Sequence, residues 1–324
     1  MARADRAFAL LVALAVGSGA ILIALLATLI PHVSILLKRG ADDAQDIVAL
    51  LLLGLALLGI GLGVGALFRQ LSATAGFIRS LLARRVPVPR DVGATARGLG
   101  LSRLVDIVDD PRPFSFCYWF LRPRICISTG LLARLDGDEV RAVLLHERYH
   151  LRHRDPLRLV IARYFAAGLY VVPVVDELVS YYTLQKEIAA DEEAVREARD
   201  VRPLAAALYK LLPDADSVDL GLLLPVGSLT VTEARIEQLV NGMSAPLQLS
   251  PVSIALSGGA LLAASVLAFI GLPMTEGFLP PVLAVPGLLV APASLLFAAA
   301  VSGGAHQLRV LVQPAHVLAA PISY

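Results

Sequence analysis

His146 and His150 stand four residues apart in "LLHERYHLRHRD" (residues 144–155), and Glu147 follows the first of them. On a helix, residues i and i+4 share a face one turn apart. Both imidazoles can then reach one metal ion, which zinc holds at about 2.0–2.1 Å from nitrogen. Glu147, beside the first ligand, can reach a metal-activated water rather than the ion, the place of a general base in peptide hydrolysis. The same five-residue pattern also occurs on solvated helices, so its setting decides between the readings. A catalytic zinc takes a third protein ligand, and "EIAADEEA" (187–194) offers one in Glu187. Asp191, one turn on, can accept a hydrogen bond from a ligating imidazole and so fix its tautomer. Glu192 and Glu193 point elsewhere and read as solvated. His153 shares the histidine face but lies about 10 Å from His146 at 1.5 Å per residue. It reads as a surface histidine near lipid headgroups. The expectation is one zinc ion per chain on His146, His150 and Glu187.

The elements that must hold these residues are legible nearby. Asp136 fits the N-cap of a helix over 138–153, and Glu139 completes a capping box. The helix stops before Pro156, and Asp155 is expected to cap the next helix with Pro156 as its first residue. Ahead of it, "SRLVDIVDD" (102–110) and "FSFCYWFLRPRICIST" (114–129) are strand-like, the second a hairpin turning at "LRPR". One of its strands could hold an extended substrate by main-chain bonds; a purely structural hairpin fits equally well. Cys117 and Cys126 match neither a zinc knuckle nor a redox pair and read as free buried thiols. "RVPVPRD" (85–91) reads as a proline-rich linker. Residues 178–212 and "SLTVTEARIEQLV" (228–240) read as helical.

The rest of the 324-residue chain is apolar: 57% hydrophobic and 17% charged, against about 45–50% and 25% in soluble domains. That excess points to a membrane. Ala7–Ile30, ending at Pro31, is too long for a signal-peptide core and reads as a retained span. Residues 47–68 form a second span, followed by a basic amphipathic helix over 68–83. Residues 250–273 form a third span, and 280–301 a fourth, interrupted by Pro286 and Pro292. The "GIGLGVG" at 59–65 lacks the strand-then-helix setting of a phosphate loop, and its glycines suit close helix packing instead. The run 157–175 is apolar but too short to cross twice. It reads as a hairpin lying on or dipping into the leaflet, with Arg158 and Arg163 snorkelling and Pro173 at its bend. Arginines after the second span place the N-terminus and everything from about residue 69 on the cytoplasmic side. A net charge of +1 gives no reason to expect a nucleic-acid partner. The first three spans carry no ionisable residue, which argues against a transporter.

These readings make a mainly α membrane protein of about four transmembrane helices with an inserted α+β domain carrying a small β-hairpin or sheet. Its parts are two spans in 1–68, a cytoplasmic zinc-peptidase domain over 69–245, and one or two spans with a short tail in 246–324. The expected function is zinc endopeptidase action on a protein or peptide substrate at the cytoplasmic membrane face, against membrane lipid, in regulatory proteolysis or membrane protein quality control. The alternative is a non-catalytic signalling or scaffold protein keeping the fold, which would ordinarily have lost Glu147 or a ligand.

"RPRICISTGLLARLDGDEVRAVLLHERYHLRHRDPLRL", followed by "EIAADEEAV" and "TEARIEQL", resembles the integral-membrane zinc peptidases of the MecR/BlaR antirepressor type. More distantly it is similar to the HtpX-type and CaaX prenyl membrane peptidases, which pair HExxH with a downstream ExxxD. The resemblance covers roughly residues 110–240. It implies a gluzincin-like fold with zinc on His146, His150 and Glu187, Glu147 as base, Asp191 behind the ligands, and a bacterial inner-membrane location. The penicillin-binding sensor domain of MecR/BlaR is expected to be missing, because the chain ends about twenty residues past its last apolar stretch. No histidine stands out for transition-state stabilisation. Tyr181, Tyr182 and Arg235 are candidates, Arg235 reading better as a salt bridge.

Overall fold

The structure, a computed structural model, describes residues 2–40, 44–211, 235–239, 247 and 249–271. The chain divides into two compact units. One comprises 1–15, 57–170 and 175–245; the other comprises 16–56, 171–174 and 246–324. The first carries the chemistry.

In chain order the helices are α1 (Ala2–Arg39), α2 (Ala44–Leu82), α3 (Arg90–Gly98), α4 (Thr129–Arg134), α5 (Gly137–His153), α6 (Asp155–Gly168), α7 (Val174–Ala198), α8 (Arg202–Lys210) and α9 (Pro251–Gly271). The strands are β1 (Arg85–Val86), β2 (Val105–Val108), β3 (Ser115–Tyr118) and β4 (Arg124–Ser128). They form one sheet in the order β1-β2-β4-β3, with β2 parallel to β4 and the other pairs antiparallel. The expected hairpin is thus β3–β4, and β3 lies at the sheet edge.

Side chains alternate between the faces of a strand, and this sheet is covered on both. Ile107, Ile125 and Ile127 are fully buried in one cluster with Leu131, Leu144 and Leu145, so this face carries α5. Val108, Tyr118 and Cys126 turn the other way, onto Ile78 and Leu81 near the end of α2. Cys117 pairs in register with Ile125, and Cys126 with Phe116. The two thiols therefore point to opposite faces, and both are free.

The start of α5 is as its sequence dictates. The Asp136 carboxylate accepts from the amides of Asp138 and Glu139, and the Glu139 carboxylate accepts from the amide of Asp136 at 2.9 Å. It ends at His153, as expected, and the junction beyond it differs. Arg154, in the left-handed region at φ 52, is the residue that turns the chain into α6, and Asp155 makes no cap. Its carboxylate folds back toward α5 instead.

Four further boundaries differ. α1 runs on through Pro31 to Arg39; a proline removes one helical hydrogen bond and, in an apolar helix, need not end it. The second apolar run and the amphipathic helix after it are one continuous helix of 39 residues, with no proline between them to separate the two. The linker 85–91 holds β1 and the start of α3, whose N-cap is Pro89. α7 and α8 are separated at Arg199, which has φ 57.

Among the described residues one helix, Asp46–Leu82, is long and apolar enough to cross a membrane; Pro251–Ala263 is a shorter apolar stretch. The fourth apolar run, 280–301, lies outside the described residues. Within the first unit, α2 and α6 meet at glycines. A Cβ on Gly59 would stand 2.9 Å from the Gly168 carbonyl, and one on Gly63 would stand 3.2 Å from the Tyr164 ring. The "GIGLGVG" stretch is therefore a close helix crossing. In the second unit Leu29, Ala49 and Leu52 form a small cluster between α1 and α2, and the Val174 amide donates to Ser257 Oγ at 3.1 Å.

Candidate metal centre

α5 presents His146 and His150 on one face, and α7 presents Glu187 opposite them. The two Nε2 atoms are 3.0 Å apart. Glu187 Oε2 lies 3.4 Å from His146 Nε2, and Oε1 lies 3.5 Å from His150 Nε2. Three donors on one face of a tetrahedral zinc, bonded at about 2.0–2.2 Å, stand about 3.2–3.6 Å from one another. Two imidazole nitrogens this close need a proton or a cation between them, so the donor set fits a metal ion. The His146, His150 and Glu187 side chains keep 9%, 12% and 25% of their exposure, so the cluster opens on the Glu187 side.

Behind each histidine stands a carboxylate that is itself tied to a cation. His146 Nδ1 is 2.7 Å from Asp191 Oδ1, and Arg235 donates to Asp191 through Nε and Nη2 at 2.7 and 2.8 Å. Arg235 also reaches Glu187 Oε2 at 3.1 Å. His150 Nδ1 is 2.8 Å from Asp155 Oδ2, and Asp155 Oδ1 is 2.6 Å from the buried Lys186 ammonium. A carboxylate on Nδ1 leaves Nε2 as the lone-pair nitrogen and orients the ring. The sequence pointed to Asp191 for this task, and Asp155 was missed. The available signal was an acid five residues after His150 at a helix junction, and the cap reading had absorbed it.

Asp155→Asn should therefore weaken metal affinity about 10–100-fold with the fold retained. Competition against a chromogenic chelator measures this, and an affinity equal to wild type would return Asp155 to a structural role.

The charges are strongly coupled. Burial opposes ionisation of Glu187, yet His150, Arg235 and His146 outweigh it and hold the carboxyl far below the usual range. Asp191 is likewise lowered against its burial, by Arg235 and His146. At His146, burial and Arg235 act against protonation, but the Asp191 and Glu187 carboxylates prevail and push its pKa up to about 9. Below that pH the metal-free His146 holds a proton, which a metal must displace. Calorimetry at pH 7–8 in buffers of different ionisation enthalpy should find about one proton released per metal from this site. Affinity should fall as pH drops, and a pH-independent affinity would contradict this.

Glu147 is buried beside the cluster. Its Oε1 accepts from Ser115 Oγ at 2.7 Å, and its Oε2 is buried without a hydrogen-bond partner among the described residues. Cys117 Sγ, two residues along β3, donates to the Glu147 carbonyl at 3.1 Å. Burial, and then the nearby Glu147, raise the Cys117 thiol pKa well above its ordinary value.

The other candidates are placed elsewhere. At 100° per residue, Tyr181 and Tyr182 face about 120° and 140° away from Glu187 on α7. Tyr182 is buried with its ring 5.3 Å from Phe8. Arg235 sits in the site as an ion-pair partner, in the helical residues 235–239. His153 stacks on Tyr149 at 4.0 Å and its Nδ1 is 2.8 Å from the Tyr149 carbonyl. It is partly buried rather than at an open surface, because the aromatic ring one turn back covers it. Glu192 is exposed but accepts from Gln238 at 2.6 Å, and Glu193 is half-buried, 3.7 Å from Arg152.

The chain is 28% identical to a protease HtpX homologue of Methanothermobacter thermautotrophicus over 154 residues, 40% of this chain and 56% of the relative. A Thermoplasma acidophilum protease HtpX homologue is 46% identical over 48 residues, 15% of each chain. The plastoglobule-localized metallopeptidase 48 of Arabidopsis thaliana is 26% identical over 117 residues, 33% of this chain and 34% of the relative. The chain thus spans at most about half the length of these curated relatives. The family model described as BlaR1 peptidase M56 matches residues 40–226. That range is more than half the chain and takes in α5 and α7, which carry His146, His150 and Glu187, so the protein belongs to the BlaR1 peptidase M56 family.

Proposed function

We propose that this protein is a membrane-embedded zinc endopeptidase that cuts a protein substrate at the cytoplasmic face of the membrane. The observation that carries the reading is the convergence of His146 Nε2, His150 Nε2 and a Glu187 carboxylate oxygen within 4.8 Å of one another. His146, His150 and Glu187 would hold the ion, which when bound supplies a Lewis acid and a water nucleophile at neutral pH. The remaining tasks fall to the chain. Glu147 takes the proton of the attacking water on its unpartnered Oε2, holds it, and delivers it to the departing amine. Asp191 and Asp155 keep the imidazoles oriented. Arg235 and Lys186 balance the carboxylates, which would otherwise be costly to bury. β3, at the sheet edge, suits an extended substrate added as a further strand.

The membrane arrangement is part of the same proposal: spans at 7–30, 47–68, 250–273 and 280–301 around a cytoplasmic domain at 69–245. The α2–α6 crossing supports the depth. Gly59 meets Gly168 and Gly63 meets Tyr164, so the helices run antiparallel. Followed toward the start of α6, that course leads to Arg158, and along α2 it leads to Arg69. Arg158 also pairs with Asp5 at 3.3 Å, just before the first apolar run. Arg69 within α2, and Arg158 and Asp5 near the starts of α6 and α1, thus suit one level at a bilayer surface, with His150 and Asp155 beyond it. Substrates would then be membrane proteins cut near their cytoplasmic boundary, or cytoplasmic proteins recruited there. An antirepressor, as for the MecR/BlaR type, is one such class.

Comparing the proteomes of cells carrying wild type and Glu147→Gln tests the function. New N-termini near cytoplasmic membrane boundaries, present only with wild type, are expected; identical cleavage patterns would sink it. For the topology, with Cys117 and Cys126 replaced, a cysteine at Asp43 should react with an impermeant thiol reagent in intact cells and one at Arg90 should not. The reverse pattern would invert the substrate class.

A further inference from the structure

β3 grips one residue of α5 at two points. Ser115 and Cys117 are i and i+2 on the strand, so their side chains share a face. Ser115 Oγ donates to Glu147 Oε1 at 2.7 Å, and Cys117 Sγ donates to the Glu147 carbonyl at 3.1 Å. The first bond distinguishes the two carboxylate oxygens: Oε1 is occupied, whereas Oε2 is buried with no hydrogen-bond partner among the described residues. A general base that must receive and release one proton works best when one oxygen is anchored and the other is free.

We propose that Ser115 is the positioning residue for Glu147, holding the carboxylate by Oε1 so that Oε2 alone exchanges the proton during hydrolysis. The proposal rests on the endopeptidase reading above and deepens it. Because Ser115 lies on the edge strand, the element suited to align the substrate also sets the rotamer of the base. The seating of the peptide and the placement of the base are then coupled through one strand of four residues.

The test uses the full chain in detergent micelles with casein as the probe substrate, comparing wild type, Ser115→Ala, Ser115→Thr and Glu147→Gln. Losing one hydrogen bond to a charged group should lower kcat about 10–100-fold in Ser115→Ala. KM, zinc content and melting temperature should stay near wild type, and Ser115→Thr, which keeps the hydroxyl, should restore kcat. A second readout needs no turnover. A peptide hydroxamate gives up a proton as it binds a metal, and a well-placed Glu147 is the group to take it. Its Kd should therefore rise at least several-fold in Ser115→Ala and recover in Ser115→Thr. If wild type cuts casein and Glu147→Gln does not, while Ser115→Ala matches wild type in both kcat and hydroxamate Kd, the positioning role is overturned and the endopeptidase reading stands. A kcat loss that Ser115→Thr fails to restore also overturns it, since it would mark a packing defect. If wild type is inert toward casein, the failure falls on the endopeptidase reading with this substrate, and the hydroxamate comparison alone decides for or against Ser115.

Discussion

Glu147→Gln is expected to lower peptide-bond hydrolysis by about 10²–10⁴-fold, the usual span for removing a general base, while leaving the metal in place. Glutamine keeps the size of the side chain and, through its carbonyl oxygen, can still accept from Ser115. It cannot take a proton at the position of Oε2. Since Glu147 holds neither ligand nitrogen and is not one of the three converging donors, zinc content and KM should change little. The measurement is steady-state casein hydrolysis by purified protein, with metal content determined on the same samples. Activity within a few-fold of wild type would remove Glu147 from the chemistry. Loss of metal together with activity would instead make it a ligand.

His150→Ala and Glu187→Ala should each reduce hydrolysis to background, at least about 10³-fold, because the Lewis acid and the activated water depart together. Neither change should unfold the protein. Without His150, Asp155 still pairs with Lys186 at 2.6 Å. Without Glu187, Arg235 keeps its two bonds to Asp191 at 2.7 and 2.8 Å. The buried charges on each side thus retain a partner, which is what prevents the large cost of an unpaired buried ion. Melting temperatures of these variants should be compared with that of metal-free wild type, since metal binding itself stabilises the folded state.

The grouping of the candidate metal-binding side chains was legible in the sequence because it depends on local geometry. A one-turn spacing on a helix puts His146 with His150, and Glu187 with Asp191, whatever the rest of the fold does. The capping box at Asp136 and Glu139 was legible for the same reason. What could not be read was which side chain crosses from one element to another. Asp155 had an equally good local role as a cap, and only the left-handed turn at Arg154 directs it to His150. Ser115 is one small polar residue in an aromatic strand. Its bond to Glu147 depends on a contact 32 residues apart in sequence. Lys186, one residue before Glu187, is 4% exposed, with its ammonium 4.9 Å from the Tyr149 ring and against Asp155, a placement no local pattern marks. Helix ends misled in the same way: apolar periodicity marks where a helix packs, and it does not mark where the hydrogen bonding stops, so α1 and α2 extend past their apolar runs.

Metal content per chain tests the central claim most directly, by mass spectrometry of wild type, Glu147→Gln, His150→Ala and Glu187→Ala, each purified without chelators and equilibrated with zinc. The expected result is about one zinc per chain in wild type and Glu147→Gln, and less than about a tenth of that in both ligand variants, as for a site that needs three protein donors. Stoichiometric zinc retained in both His150→Ala and Glu187→Ala would contradict the account, because the ion would then sit on other residues.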